Sequence, residues 1–224
     1  MGEAISGAVR ADDVRSWTGV PYLTPQQLSR VHSVEEFEAL ARERMTPSVY
    51  DYVAGWAGSG ATARANQEAF WRYVIRPRAL VDVHQIDLHT TVLGRRVDLP
   101  VLFAPSGYQA LAHPQAELAS ARASVRVGTT LVLSTSSNFS IEDVGAIAQD
   151  PWYQLYWFTD TGVTRDMIER AAAAGFAATA LTVDASTTLW REGEFRNPPD
   201  IPEDRKSTRL NSSHSRVSRM PSSA

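Results

Sequence analysis

The segment Leu99-Pro-Val-Leu-Phe-Ala-Pro-Ser-Gly107 limits what the rest of the chain can become. Pro100 stops whatever precedes it, four apolar residues follow, and Pro105-Ser-Gly107 ends the run. A short apolar run without alternation, bounded by turn residues, predicts a strand buried on both faces, as in a parallel sheet covered by helices. The pattern returns at Thr130-Leu-Val-Leu-Ser134, Tyr153-Gln-Leu-Tyr156 and Ala178-Thr-Ala-Leu-Thr-Val-Asp184, with helical periodicity between. Each predicted strand ends in polar residues, the place where α/β barrels and doubly wound sheets keep their chemistry.

Strand starts near 101, 130, 153 and 178 lie 29, 23 and 25 residues apart. That regularity suits a (β/α) barrel better than a sheet that reverses direction, and four units make half of one. No glycine-rich fingerprint follows the first strand, which weakens a dinucleotide-binding reading. The expected fold class is therefore α/β: the first half, about four βα units, of a (β/α)8 barrel preceded by N-terminal helices.

Composition narrows the chemistry. The 224-residue chain has no cysteine, so disulfides, cysteine-ligated zinc and a thiol nucleophile are excluded. No apolar run approaches the roughly 18–20 residues of a membrane span, and the first residues lack a signal-peptide pattern, so a cytoplasmic location is expected. Residues 1–203 hold 17 arginines against 24 acids, a net charge of −7, whereas 204–224 hold five bases against one acid, net +4. The acidic balance of the larger part argues against nucleic acid. The basic tail has a separate explanation. Asp204-Arg-Lys-Ser-Thr-Arg-Leu-Asn-Ser-Ser-His214 and Ser218-Arg-Met-Pro-Ser-Ser-Ala224 are in-frame translations of two consecutive parts of a DNA resembling a common sequencing adapter. Residues 204–224 therefore read as translated adapter, and the native chain is expected to continue past Glu203 with other residues.

Residues 1–32, with Gly19, Pro21 and Pro25, read as an irregular leader; 33–98 as helices and a hairpin; 99–203 as the half barrel. Ser33-Val-Glu-Glu36 is a capping-box pattern. Thr46-Pro47 opens a second helix that ends near Gly55. Gly55, Gly58 and Gly60 follow no strand, so they read as a helix-ending turn rather than a phosphate loop. A third helix is expected over 63–73 and a hairpin between 81 and 97 turning at Gly94-Arg95. Further helices are expected over 115–127, from Ser140 to about 149, and from Thr164 to Gly175.

The polar residues at the strand ends are Ser106; Ser134, Thr135 and Ser136; Gln154 and Tyr156; Thr182 and Asp184, with Arg191 shortly after. In a barrel they converge at one mouth. Hydroxyls and an amide can meet the edge of a flat heteroaromatic cofactor, while tyrosine and the planar arginine fork suit a carboxylate. Taken singly, each is accounted for by bonding to local backbone; four strands in succession point to a site without fixing a reaction. His32, His84, His89 and His113 are dispersed without metal-ligand spacing. Trp152, Tyr153 and Trp157 read as core or interface residues rather than a base-stacking platform.

At these residues the chain resembles the FMN-dependent 2-hydroxy acid oxidase and dehydrogenase family. The resemblance runs from about Ser33 to Pro202 through Val49-Tyr-Asp-Tyr-Val-Ala-Gly55, Arg76-Pro-Arg78, Thr91-Val-Leu-Gly94, Pro100 to Gln109, Ala112-His-Pro114, Tyr153-Gln-Leu-Tyr156 and Ala180-Leu-Thr-Val-Asp184. It implies a (β/α)8 barrel with FMN at its C-terminal mouth and oxidation of a small 2-hydroxy acid to the 2-oxo acid. By that resemblance Ala104, Pro105, Ser106, Ser134, Gln154 and Thr182 contact the flavin. Tyr52 and Tyr156 hold the substrate with help from Arg191, and Asp184 supports a catalytic histidine. Ser106 stands where the family often has threonine, and Ser136 where many members have an aromatic residue. The family's base histidine, flavin-facing lysine, main carboxylate-binding arginine and phosphate site belong to the second half of the barrel. This chain alone is therefore expected to hold FMN poorly and not to turn over, and the full-length parent is expected to be a homo-oligomer. Two other readings stand beside this one: a different FMN- or phosphate-binding barrel, and a non-catalytic half barrel.

Overall fold

The computed structural model describes residues 23–183 and 191–198. The N-terminal part is helical. Helix α1 (Pro25–Leu28) interrupts the stretch expected to be irregular. It forms because Thr24 and Gln27 cap each other reciprocally: the Thr24 hydroxyl accepts the Gln27 N–H at 3.2 Å and the Gln27 side-chain Oε1 accepts the Thr24 N–H at 2.9 Å. Helix α2 (Glu36–Arg44) lacks the expected Ser33–Glu36 box. Glu35 already has helical backbone angles at the N-cap, which leaves Ser33 too far out, and the Glu36 carboxylate accepts the His32 N–H instead. Helix α3 (Pro47–Ala54) starts as predicted, with Thr46 extended at the N-cap and Pro47 in the first turn.

Gly55 ends α3 in an extended conformation, and the left-handed glycines, Gly58 (φ 52°) and Gly60, follow it. Gly60 (φ 75°) opens helix α4 (Ala61–Ala69), and a Cβ there would lie 2.5 Å from the Trp56 indole nitrogen. Helix α4 begins two residues before the expected start and tightens into a 3-10 turn at Phe70–Arg72. Strands β1 (Thr90–Val92) and β2 (Arg95–Val97) form the expected antiparallel hairpin, with Thr90 opposite Val97. The turn falls on Leu93-Gly94, one residue earlier than expected, because both positions take positive φ (47° and 78°), as a tight two-residue hairpin turn requires.

The second part is a parallel sheet. Strands β3 (Val132–Leu133), β4 (Trp152–Leu155) and β5 (Ala178–Leu181) lie side by side in sequence order. Val132 pairs with Trp152, and Gln154 with Ala180. Helix α5 (Ala116–Arg126) precedes β3; helices α6 (Ile141–Gly145) and α7 (Thr161–Ala173) make the two crossovers. The Ser140 hydroxyl starts α6 as predicted, accepting the Asp143 N–H. Helix α7 starts at Thr161 under an Asp160 cap, a turn before the expected Thr164. Thr164 lies inside the helix, its hydroxyl accepting the Phe158 N–H at 3.2 Å.

Two expectations are corrected at the edges of this sheet. The Val101–Ala104 run is not buried on both faces: Val101 is exposed, and the run joins the sheet through one parallel bridge, Phe103 to Leu131. The Phe103 N–H donates to the Thr130 carbonyl and its own carbonyl accepts the Val132 N–H, both at 3.0 Å and both toward β3. Strand β5 alternates between half-buried and exposed positions rather than being buried throughout, with Leu181 and Val183 exposed. Both runs lie at an edge with a partner strand on one side only, among the described residues. The sheet is therefore four parallel segments wide and open, not a closed barrel.

Alternation along β4 sorts the two faces. Tyr153 and Leu155 join Leu131, Leu133, Ile141, Val144, Phe158, Met167 and Ala171 in the core beneath the helices. The Tyr153 ring meets Phe176 edge-on at 6.2 Å and its hydroxyl reaches the Met167 sulfur at 3.3 Å. Gln154, between them, faces the other way. That face is lined by polar groups at the carboxyl ends of the strands.

Candidate functional site

Gln154 is the hub of the polar face. It is 5% exposed, and both the nitrogen and the oxygen of its amide are engaged, one of the two amide N–H groups being used within the row. Its Nε2 donates to the Thr182 hydroxyl at 2.6 Å, beyond the end of β5. Its Oε1 accepts the Thr135 N–H at 3.1 Å and the Ser134 hydroxyl at 3.4 Å, beyond the end of β3. One side chain thus ties together the carboxyl ends of three adjacent parallel strands. Ser134, Gln154 and Thr182, predicted separately, form one continuous row.

Two further bonds stiffen that row. The Thr135 hydroxyl donates to the Gln154 carbonyl at 2.5 Å and accepts the Tyr156 N–H at 3.1 Å, closing β3 against β4. The Ser134 oxygen accepts the Ser136 N–H at 3.1 Å. From the sequence Thr135 is only a strand-end hydroxyl; its lateral role depends on the β3–β4 register, which sequence does not show.

The Ala104-Pro105-Ser106 segment is exposed, and Gly107 brings it against the row. A Cβ on Gly107 would fall 3.0 Å from the Ser136 Cβ and 3.6 Å from the Ser134 hydroxyl, so the close approach of the two loops depends on glycine. The Ser106 carbonyl accepts the Gln109 side-chain amide at 3.2 Å, and the Tyr108 N–H donates to the Ser136 carbonyl at 3.0 Å. Tyr108 itself takes a left-handed conformation (φ 53°) to do so. Nothing in the composition of this segment marks Tyr108 for that role.

A second cluster involves the helices. The Arg191 guanidinium lies over the Tyr52 ring, 5.4 Å from its centroid, and its Nη2 donates to the carbonyls of Tyr52 (3.0 Å) and Gly55 (3.1 Å). Arg191 therefore caps the C-terminal end of α3 while stacking on the expected substrate tyrosine. Helix α8 (Glu192–Arg196) continues from Arg191 and packs on α3, with the Asn197 side-chain amide donating to Asp51 at 2.6 Å. The Tyr52 ring also meets Tyr108 edge-on at 6.2 Å. Tyr108 links the clusters: its ring touches Tyr52 and its backbone touches the Ser134–Ser136 loop. Tyr156 follows β4 and is half-buried. Asp184 lies outside the described residues.

The donor set fits a flavin. Thr182 accepts from Gln154 and so keeps its hydroxyl proton for an acceptor beyond the row; the neighbouring groups are neutral hydroxyls and amides at the open face of a parallel sheet. No group of three or more histidine, aspartate or glutamate side chains is placed to hold a metal ion among the described residues. None of their helices is long and apolar enough to cross a membrane.

The chain is similar to known proteins in sequence and in fold. The sequence model of the FMN-dependent dehydrogenases matches residues 41–222. Glycolate oxidase 3 of Oryza sativa subsp. indica is 40% identical over 173 residues, which are 77% of this chain and 47% of that protein. An L-lactate oxidase of Nostoc sp. is 44% identical over 172 residues, 75% of this chain and 47% of that protein. Among solved structures, a mandelate oxidase with benzoyl-formic acid superposes with a TM-score of 0.75 at 35% identity, covering 80% of this chain and 53% of that one. The chain thus spans about half the length of the curated relatives it matches.

Proposed function

The chain belongs to the FMN-dependent dehydrogenase family, and from that premise we propose that it is the N-terminal half of an enzyme that oxidises a small 2-hydroxy acid to the 2-oxo acid. The observation that carries the proposal is the Ser134–Gln154–Thr182 row, drawn across three parallel strand ends by one buried amide. Such a row offers fixed, uncharged hydrogen-bonding groups to one edge of a planar ring system. Similarity to glycolate, L-lactate and mandelate oxidases supports the substrate class.

In this reading Ser134, Gln154 and Thr182 hold one edge of FMN, and Ala104, Pro105 and Ser106 lie against it. The flavin supplies the acceptor for the hydride equivalent leaving the substrate α-carbon. Tyr52 and Tyr156 bind the substrate carboxylate or hydroxyl. Arg191, over the Tyr52 ring, orients that phenol and adds positive charge beside it. Asp184 pairs with the histidine that takes the α-proton, and that histidine is assigned to the second half of the barrel. The 224 residues alone are therefore proposed not to turn over. The exposed apolar edges at Val101, Leu181 and Val183 support this, since in a complete barrel such edges are paired and covered.

The test is anaerobic mixing of the complete gene product, loaded with FMN, with glycolate, L-lactate or mandelate. Loss of the oxidised flavin absorbance with one equivalent of 2-oxo acid is the expected result. A flavin that stays oxidised with every 2-hydroxy acid tried overturns the reading and favours a different FMN- or phosphate-binding barrel.

A further inference from the structure

We infer that Glu117 is a positioning residue, the clasp that holds the loop after Phe103 and the loop after β3 in one arrangement. Its relevance to flavin binding rests on the function proposed above; the clasp itself does not. Glu117 sits in the first turn of α5 and is fully buried. The chain enters that turn through Ala116 at a left-handed φ of 38°, a conformation that non-glycine residues seldom adopt. Oε1 accepts the Asn138 N–H at 3.2 Å, whereas Oε2 is buried with no hydrogen-bond partner among the described residues. An acid in such a place is expensive, and burial pushes its carboxyl above the usual range.

The bonds around it show what the carboxyl holds. Asn138, fixed through its N–H by Glu117, uses its side-chain oxygen to accept the Ala110 N–H at 3.0 Å. Ser120, one turn along α5, donates to the Gln109 side-chain oxygen at 2.7 Å, and the same Gln109 amide donates to the Ser106 carbonyl. Helix α5 therefore grips both loops: the one carrying Ser106 through Gln109, and the one carrying Ser134 through Asn138. The two loops then meet directly at Tyr108 and Ser136. Core packing needs no carboxyl here, because a methionine fills the same volume without a desolvation cost. What methionine lacks is the acceptor for Asn138.

The experiment is amide hydrogen exchange on the complete gene product as wild type, Glu117→Met and Glu117→Gln, with FMN binding by equilibrium dialysis on each. If Glu117 is the clasp, Glu117→Met speeds exchange at Ala110 and Asn138 at least tenfold and leaves Leu133 and Leu155 unchanged. Glu117→Gln, which keeps the acceptor and resembles the protonated acid, stays within threefold of wild type. Unchanged exchange at Ala110 and Asn138 in the methionine variant overturns the inference. So does faster exchange that spreads to Leu133 and Leu155, or outright unfolding, since either makes Glu117 a general support of the core. A glutamine variant as loose as the methionine one overturns it as well. The dialysis separates the two claims: absent FMN binding by the complete wild-type protein counts against the flavin reading, while the exchange pattern still decides the clasp. Where wild type binds FMN, the methionine variant is expected to bind at least tenfold more weakly and the glutamine variant to bind like wild type.

Discussion

At the scale of single residues, the site depends on side chains that bond each other before they bond a ligand. Gln154 shows this most clearly, because its amide bonds Thr182, Thr135 and Ser134. Replacing it with leucine keeps the volume but leaves the buried Thr135 N–H and the Thr182 hydroxyl without their partner. Leaving a buried polar group unmade costs about 1–3 kcal/mol, so Gln154→Leu is expected to lower unfolding stability by about that much in urea titration; no loss would mean that the row is not formed in solution. Ser134, Gln154 and Thr182 were legible in the sequence because each ends or follows an apolar run, and parallel strands carry their chemistry at that end. Glu117 was not. An acid in the first turn of a helix ordinarily complements the helix dipole at the surface, and only the approach of the 134–139 loop turns it inward. Arg191 was legible as a residue and less so as a geometry: its stacking on Tyr52 and its capping of α3 both depend on α8 packing against α3.

Elements were legible where a local signal agreed with the tertiary packing. Thr46-Pro47 and Ser140 set helix starts through bonds within a few residues, and both starts were as predicted. Ser33 failed because the backbone was already helical at Glu35, and Thr164 failed because Asp160 offered an earlier cap. The crossover helices α6 and α7 are further joined by Glu142 and Arg170, with hydrogen bonds of 2.7 and 2.9 Å. That bonding to Arg170 lowers the Glu142 carboxyl from 4.5 to about 2. A lowered carboxyl favours the fold wherever it is ionised, so its contribution is complete above pH 4.5 and is lost as the pH falls through about 2. Both side chains are more than a third exposed, which keeps the effect below about 1 kcal/mol. In chemical denaturation at stepped pH, Arg170→Gln should lose stability above pH 4.5 and show a shallower decline toward pH 2. An acid limb as steep as that of wild type would remove Glu142 from the account.

For the molecule as a whole, the spacing of the apolar runs predicted a succession of parallel βα units, and β3, β4 and β5 follow it in order without reversal. What spacing could not show was how the outer runs would fare at open edges. Val101 and Leu181 belong to segments that read as doubly buried, yet each has a neighbour on one side only, among the described residues. The apolar stretch Phe70–Ile75 is exposed in the same way, with Trp71 and Ile75 lying open. These surfaces, together with relatives twice as long, support the central claim that this is half of an FMN-dependent 2-hydroxy acid oxidoreductase. Sequencing the genomic locus past the codon for Glu203, from a library free of the adapter, tests that claim most directly. The account predicts a reading frame that continues through four more βα units carrying a histidine and an arginine at strand ends. A stop codon shortly after Glu203, or a continuation with no such units, would contradict it and leave a non-catalytic half barrel.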